Sequence, residues 1–305
     1  MSALGTESRQ ACAALVESAP AKVNLTLEIR GRRADGYHEL ESLVVFARIG
    51  DRVRLMPGEP LGLDLRGPFA RALNSESDNL VLRAAREFAR RVPRASLGRF
   101  ELTKRLPVAS GIGGGSSDAA AALRLLARVS GIGQSDARLF ETACAVGADV
   151  PVCLSASARL VRGIGEQLSD ALPVPSLAAV LVNPGIALAT KDVFAALAST
   201  TSGGLAERVH ERAISPDEIP AERTGMLSFL REHRNELEEP AISLAPPVAD
   251  ALSTLRATPG CELARMSGSG ATCFGIFGSA GAALAAARAL RASHPRWWIC
   301  ATTLA

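Results

Sequence analysis

From Ala21 to Ile29 the chain alternates strictly, with Val23, Leu25, Leu27 and Ile29 on one face and Lys22, Asn24, Thr26 and Glu28 on the other. A period of two predicts a half-buried strand that carries Lys22 and Asn24 on the same side. Gly and Asp interrupt the tract from Arg30 to Leu40, and the apolar runs Leu43 to Ile49 and Val53 to Leu55 predict further strands of an antiparallel sheet. Leu80, Ala84 and Phe88 stand at helical spacing behind the start signal Asp78-Asn79, and Phe100 to Lys104 reads as a strand after that helix. A glycine cluster then runs directly into an Ala/Leu helix that should end near Gly131. A second helix, from Ser135, leads to the turn Gly147 to Pro151.

After Gly165 the texture changes. Pro173 and Pro175 mark a seam, and the apolar run Leu177 to Val182 has the length of a buried strand. The remainder is more helical. In the last third, small and apolar residues alternate around Gly268 and Gly270 before a helix from Ala280 to Leu290. The pattern predicts an N-terminal tail over residues 1–17, a first domain over 18–170 and a second over 171–305. No repeat of fixed period is visible.

Composition narrows the function classes. With 48% hydrophobic and 21% charged residues in 305, the chain is globular, not disordered or fibrous. A net charge of +3 is too small and too evenly spread for a dedicated nucleic-acid surface. No apolar run approaches the roughly 18 residues of a membrane span, and the first 17 residues lack the layout of a secretory signal. Neither nucleic acid nor membrane is expected as a partner, and the cytoplasm is the expected compartment; the oligomeric state is left open. Cys12, Cys144, Cys153, Cys261, Cys273 and Cys300 are scattered without a CxxC pair and read as buried free thiols. His38, His210, His233 and His294 are equally dispersed, which argues against a transition-metal site and leaves room for a hard cation held by phosphates. The basic residues are nearly all Arg, and Lys22, Lys104 and Lys191 are the exceptions.

The sharpest motif is GIGGGSSD, Gly111 to Asp118. Glycines let backbone amides turn toward one point, and the helix that follows adds partial positive charge at its N-terminus, which makes a phosphate cradle. A plain loop with Ser117 as N-cap fits the same letters. The string departs from GxxxxGK[ST], having no Lys, and from GxGxxG, having Ser116 at the last position. Asp149 at its turn fits two roles about equally, a helix cap or a carboxylate that accepts a hydroxyl proton in phosphoryl transfer. Lys22 is either a solvated strand charge or a site ammonium. Tyr37 beside His38 offers a ring to stack on a base and a ring to hydrogen-bond it, or a Tyr packed on the sheet rim.

Taken together, PAKVNLTL (from Pro20), ADGYHEL (from Ala34), LPVASGIGGGSSDAA (from Leu106), GADVP (from Gly147) and ARMSGSGATCFG (from Ala264) resemble the GHMP small-molecule kinases in order and spacing, over roughly residues 18 to 290. The resemblance implies two α+β domains with the active site between them, the first an ATP-binding domain with a left-handed βαβ crossover, against the general rule of right-handedness. It implies ATP and Mg2+ as cofactors and transfer of a phosphoryl group to an alcohol. Asp149 matches the family's catalytic carboxylate and Lys22 the lysine beside it. Pro107, Val108, Ala109, Ser110, Gly111, Ile112, Gly113, Gly114, Gly115, Ser116 and Ser117 match the ATP-phosphate segment, and Gly268, Ser269 and Gly270 the third glycine motif. Asn24, Tyr37, His38, Thr190 and Phe194 match substrate positions, with Tyr37 and Phe194 closing on a cytosine. The implied substrate is a cytidine diphosphate-linked methylerythritol, with homoserine or mevalonate kinases and a catalytically silent nucleotide binder as the alternatives. No protein side chain is assigned to a metal.

Overall fold

The structure is a computed structural model that describes residues 14–34, 36–73, 79–200 and 212–305. Cys12, Asp35, Asp78 and His210 lie outside them. The alternation seen at Ala21 extends back to Leu15, which packs on the core while Val16 faces out, so strand β1 (Leu15–Asn24) begins inside the expected tail. It also ends sooner than the sequence pattern predicts. Leu25 N–H still bonds Leu43 O on the neighbouring strand, but Leu27 N–H bonds Arg234 O, so the regular pairing is lost before β2 (Glu28–Arg32). The two apolar runs that follow form one strand of 20 residues, β3 (His38–Pro57). It is the spine of the first half, pairing antiparallel with β1, β2, β5 (Gly98–Thr103) and β6 (Arg159–Gly163). Gly50 in β3 faces Pro20 at a bulge in β1, where a Cβ would lie 2.2 Å from Ala19 O, so only glycine allows the strands to meet.

Strand β4 (Gly62–Arg66) runs parallel to β5, and helix α1 (Leu80–Arg91) lies between them in sequence, a βαβ unit. Asn79 caps α1 by accepting Val81 N–H at 2.9 Å. Helix α2 (Gly114–Val129) packs on α1 and β1 through small residues, Ala119 to Ala122. Helices α3 (Ala137–Val146) and α4 (Val150–Ser155) complete this layer, and a short β7 (Gln167–Leu168) pairs with β6.

The second half is built on β8 (Leu177–Asn183), β9 (Cys261–Met266), β10 (Cys273–Phe277) and the C-terminal β11 (Trp298–Leu304), all antiparallel. Helices α5 (Thr190–Thr200), α6 (Arg223–Glu232), α7 (Glu238–Leu244), α8 (Pro247–Ala257) and α9 (Ala280–Ser293) accompany them. Leu304 pairs with Ala47, so β11 joins the two halves into one eleven-stranded sheet among the described residues. Three apolar clusters fill the interior, and the middle one draws Val23 and Leu43 from the first half together with Leu181 and Phe274 from the second.

Cys153 and Cys273 are buried and Cys261 and Cys300 half-buried, whereas Cys144 is exposed, against the expectation of buried thiols. Helix α3 buries Leu139, Thr142, Ala143 and Val146, which turns position 144 outward. No described helix is long and apolar enough to cross a membrane.

Candidate active site

The glycine loop between β5 and α2 is hung by its carbonyls. Ala109 O accepts Leu188 N–H at 3.1 Å, Ser110 O accepts Thr272 N–H at 3.0 Å, Gly111 O accepts the Ser267 hydroxyl at 3.0 Å, and Ile112 O accepts Lys22 N–H at 3.0 Å. Four residues from three parts of the chain thus fix the loop. Gly113, left-handed at φ +59, is the N-cap of α2, and its carbonyl takes the Ser117 N–H. The amides of Gly114, Gly115 and Ser116 then have no carbonyl within the helix to bond, the condition that makes a helix N-terminus an anion site. A Cβ on Gly113 would press on the Lys22 side chain at 3.0 Å, and one on Gly111 would strike Ser267 O at 2.5 Å. The glycine loop and the third glycine motif therefore meet backbone to backbone, since a Cβ on Gly268 would likewise lie 2.7 Å from Gly111 O.

The loop forms one wall of a cavity of about 590 Å³ that residues of both halves line. Of the positions singled out in the sequence, Lys22, Asn24, Pro107 to Gly111, Gly113 to Ser116, Asp149, Thr190, Phe194, Gly268 and Ser269 line it. Ile112 is instead fully buried beneath the loop. Ser117 is neither N-cap nor cavity residue, because it lies inside α2 and its hydroxyl donates to Pro20 O at 2.7 Å. Gly270 sits behind the wall, where a Cβ would meet Met266 Sδ at 2.6 Å.

Lys22 and Asp149 meet in the lining of this cavity. Lys22 Nζ donates to Asp149 Oδ1 at 2.7 Å; the lysine side chain is 7% exposed and the aspartate 44%. Asp149 occupies the position before α4 yet makes no capping hydrogen bond, so its carboxylate is committed to Lys22 and the cavity. Asn24 is oriented by its neighbours. Ser42 donates its hydroxyl proton to Thr26 O and so accepts from Asn24 Nδ2 at 2.7 Å, which leaves Asn24 Oδ1 as a buried acceptor without a partner. Thr190 and Ser269 share a hydroxyl hydrogen bond at 2.9 Å.

At one end of the cavity the ring of Phe194 stacks on His38, with centroids 5.2 Å apart and planes at 22°. A base between two rings needs about twice a stacking distance, so these two do not bracket one as they stand. Tyr37 is 61% exposed, and neither it nor His38 is among the residues that line the cavity. His38 Nε2 is buried without a partner, and burial, then the charge of Arg32, hold its pKa below the ordinary imidazole value. Leu73 and Leu80, which the sequence reading did not assign to a site, join Pro107 as apolar lining, and Lys104 lines the cavity too. Asn235 also escaped that reading, although its side-chain amide holds the third glycine turn through Met266 O at 2.9 Å and Gly268 O at 2.8 Å.

Lys104 lies beneath the loop, 2% exposed, between two carboxylates. Burial by itself lowers the pKa of an ammonium, but the charges of Asp118 and Asp51 outweigh it and raise Lys104 overall. For Asp118 burial dominates and pushes the carboxyl up to about 7, with the Lys104 charge opposing. Lys191 is exposed on α5.

The fold and this cavity define a small-molecule kinase, and the comparisons agree. The GHMP kinases N terminal domain matches residues 79–157 and the GHMP kinases C terminal domain residues 225–296. The chain belongs to the GHMP kinase family. It is 52% identical over 286 residues to the 4-diphosphocytidyl-2-C-methyl-D-erythritol kinase of Xanthobacter autotrophicus, covering 94% of this chain and 97% of that one. To the protein of the same name from Methylobacterium radiotolerans it is 53% identical, covering 95% and 99%. Among solved structures it superposes with a TM-score of 0.74 on a 4-(cytidine 5'-diphospho)-2C-methyl-D-erythritol kinase, 35% identical, covering 95% of this chain and 99% of that one. A homoserine kinase from Cytophaga hutchinsonii, 19% identical with a TM-score of 0.65 and covering 99% and 98%, shares the fold.

Proposed function

We propose that this chain is an ATP-dependent kinase that phosphorylates the 2-hydroxyl of 4-diphosphocytidyl-2-C-methyl-D-erythritol, giving the 2-phosphate and ADP, a step toward isoprenoid precursors outside the mevalonate route. The reading rests on one observation above all: the Lys22–Asp149 pair stands in the same cavity as the free amides at the start of α2, in a chain half identical to kinases of that name. Phosphoryl transfer asks mainly for positioning and charge stabilisation around an in-line geometry. The amides of Gly114, Gly115 and Ser116 hold the phosphates, and Lys22 faces the charge that develops on the transferred group. Asp149 receives the proton of the acceptor hydroxyl as transfer proceeds, and Asn24 Oδ1 accepts a hydrogen bond from the same polyol. The apolar wall of Leu73, Leu80 and Pro107 takes the adenine. The cytosine belongs at the Phe194 end, where His38 stacks on Phe194 and its Nε2 lacks a partner, with the exposed Tyr37 next to it in sequence.

Magnesium enters this reading as a passenger of ATP. Among the described residues no group of three or more His, Cys, Asp or Glu is placed to hold a metal ion. A cation carried by phosphates and water needs few protein oxygens, and the Ser116 hydroxyl in the cavity wall fits that need. When bound it neutralises phosphate charge. The division between residues 170 and 171 and a cytoplasmic location, where ATP is supplied, complete the proposal.

The test is turnover of purified protein with magnesium and ATP, offering the cytidine diphosphate-linked alcohol, homoserine and mevalonate in parallel and following ADP release and product mass. Transfer to the cytidine compound alone is the expected result. Transfer to another alcohol keeps the kinase and removes the base pocket, and no transfer to any of them leaves a silent nucleotide binder.

A further inference from the structure

Asp118 is five residues into α2, 3% exposed, and takes no part in capping the helix. Its Oδ2 accepts from Lys104 Nζ at 2.6 Å, and the same ammonium donates to Asp51 Oδ2. Asp51 Oδ1 accepts the backbone N–H groups of Arg105 and, at 2.8 Å, of Leu106, the residues that launch the glycine loop. A continuous set of charge-assisted hydrogen bonds therefore runs from the helix behind the phosphate amides to the strand end in front of them. The main chain of Lys104 extends it. Its N–H donates to Arg66 O at 2.7 Å and its carbonyl accepts Phe69 N–H at 3.3 Å, on the way to Leu73 at the apolar wall. A Cβ on Gly114 would lie 3.1 Å from Lys104 Nζ, so the first residue of α2 rests against the ammonium.

This is an unusual floor for an anion site. Two carboxylates flank one ammonium, and Asp118 Oδ1 is buried without a hydrogen bond. A neutral apolar floor would avoid both the desolvation and the unpaired oxygen. What the charged cluster supplies and an apolar one does not is directional attachment of the two ends of the loop.

We propose that Asp118 is a positioning residue for ATP: through Lys104 and Asp51 it sets the spacing between the start of the glycine loop and the amides of Gly114, Gly115 and Ser116, and so how tightly the phosphates are held. The inference rests on the reading of the loop as the ATP site. It does not involve the acceptor alcohol or the Lys22–Asp149 pair.

Steady-state kinetics with each substrate varied, and calorimetry with a non-hydrolysable ATP analogue, test it on the whole protein. Asp118→Ala is expected to raise both the KM for ATP and the analogue's Kd about tenfold, to leave the KM for the alcohol within about twofold, and to lower kcat less than it raises the KM. Asp118→Asn, which still offers an amide oxygen to Lys104, is expected to bring both ATP constants back to within about threefold of the starting protein. If Asp118→Ala fails to fold, Asp118→Glu carries the test, since it keeps the charge but displaces the carboxylate by one methylene; the same selective rise is expected. Unchanged ATP constants in a folded Asp118→Ala or Asp118→Glu overturn the proposal. So does an equal rise in both KM values, a loss confined to kcat in proportion to the folded fraction, or the absence of rescue by Asp118→Asn. An unsubstituted protein that binds no analogue removes the ATP reading and this inference with it, whereas one that binds beside an indifferent variant removes the inference alone.

Discussion

Lys22 and Lys104 each hold an aspartate oxygen at hydrogen-bond distance within the same cavity wall, yet their surroundings differ in kind. Lys22 meets one carboxylate, and that carboxylate is 44% open to the cavity. Lys104 meets two, and all three side chains are nearly or fully enclosed. An ion pair with one face open can exchange its partner for a reacting group, because water and substrate reach it and little is lost when it rearranges. A pair sealed in the interior cannot, since any change leaves an uncompensated charge in a poorly polarisable medium. The same residue types are therefore suited to chemistry in one place and to holding geometry in the other, and openness is what separates them.

The most severe break of this contrast is Asp149→Asn. Removing the proton acceptor should lower turnover by about 10²–10⁴-fold while calorimetric ATP affinity stays within a few-fold. Near-normal turnover would take Asp149 out of the chemistry. Lys22→Met should also lose turnover, and the double variant should lose little more than the worse single one, as expected of groups that act as a unit.

Exchanging the roles gives the next largest effect, now on stability. Lys104→Met leaves Asp51 and Asp118 enclosed without their cation and should cost about 3–5 kcal/mol in urea denaturation. Lys22→Met, beside a half-open partner, should cost about 1 kcal/mol or less. Equal losses from the two would show that burial is not what separates them.

Lys22 and Asp149 could be singled out in the sequence and the partners of Lys104 could not, for a physical reason. Period-two alternation puts Lys22 and Asn24 on one strand face, and a Gly-Ala-Asp-Val-Pro turn offers an aspartate at a helix start, so residue type and local geometry mark both as candidates, and the family resemblance is what pairs them. Lys104 stands out only as a rare lysine among arginines, because its partners at 51 and 118 come from a sheet and a helix that only the tertiary fold brings together. The glycine loop shows the same limit at finer scale. Its letters fit a phosphate cradle or a plain capped loop, and do not tell that the Ile112 carbonyl turns to Lys22 or that Ser117 faces Pro20. The end of regular pairing after Asn24 was hidden too, since Leu27 continues the alternation while its amide bonds Arg234 O instead of β3.

A third region, touching neither lysine, supplies the smallest effects and the control for both. His38 sits against Phe194 with a buried, unpartnered Nε2. His38→Ala should raise the KM for the cytidine substrate about tenfold, leaving ATP affinity and stability nearly unchanged. Burial and Arg32 lower the imidazole pKa below 6.5, so the neutral ring persists through neutral pH. A group with a depressed folded-state pKa favours the fold above its unfolded value and loses that contribution as pH falls. The KM for the alcohol should accordingly stay flat from pH 8 down to 6.5 and rise only below it; a midpoint at or above 6.5 would mean that the ring is not shielded as described.

Tyr37→Ala should give the weakest signal. Stacking a base on an aromatic face contributes about 1–3 kcal/mol when the ring is well ordered. Tyr37 is 61% exposed, so much of its surface keeps contact with water whether or not a base arrives. Its loss should therefore raise the KM for the cytidine substrate only about two- to fivefold, less than Phe194→Ala, whose ring already rests against His38. A Tyr37→Ala effect larger than that of Phe194→Ala would mean that Tyr37 swings inward to cover the base when substrate binds, and that the base end of the cavity is completed by its ligand, whereas the glycine loop stands already assembled on four hydrogen-bonded carbonyls.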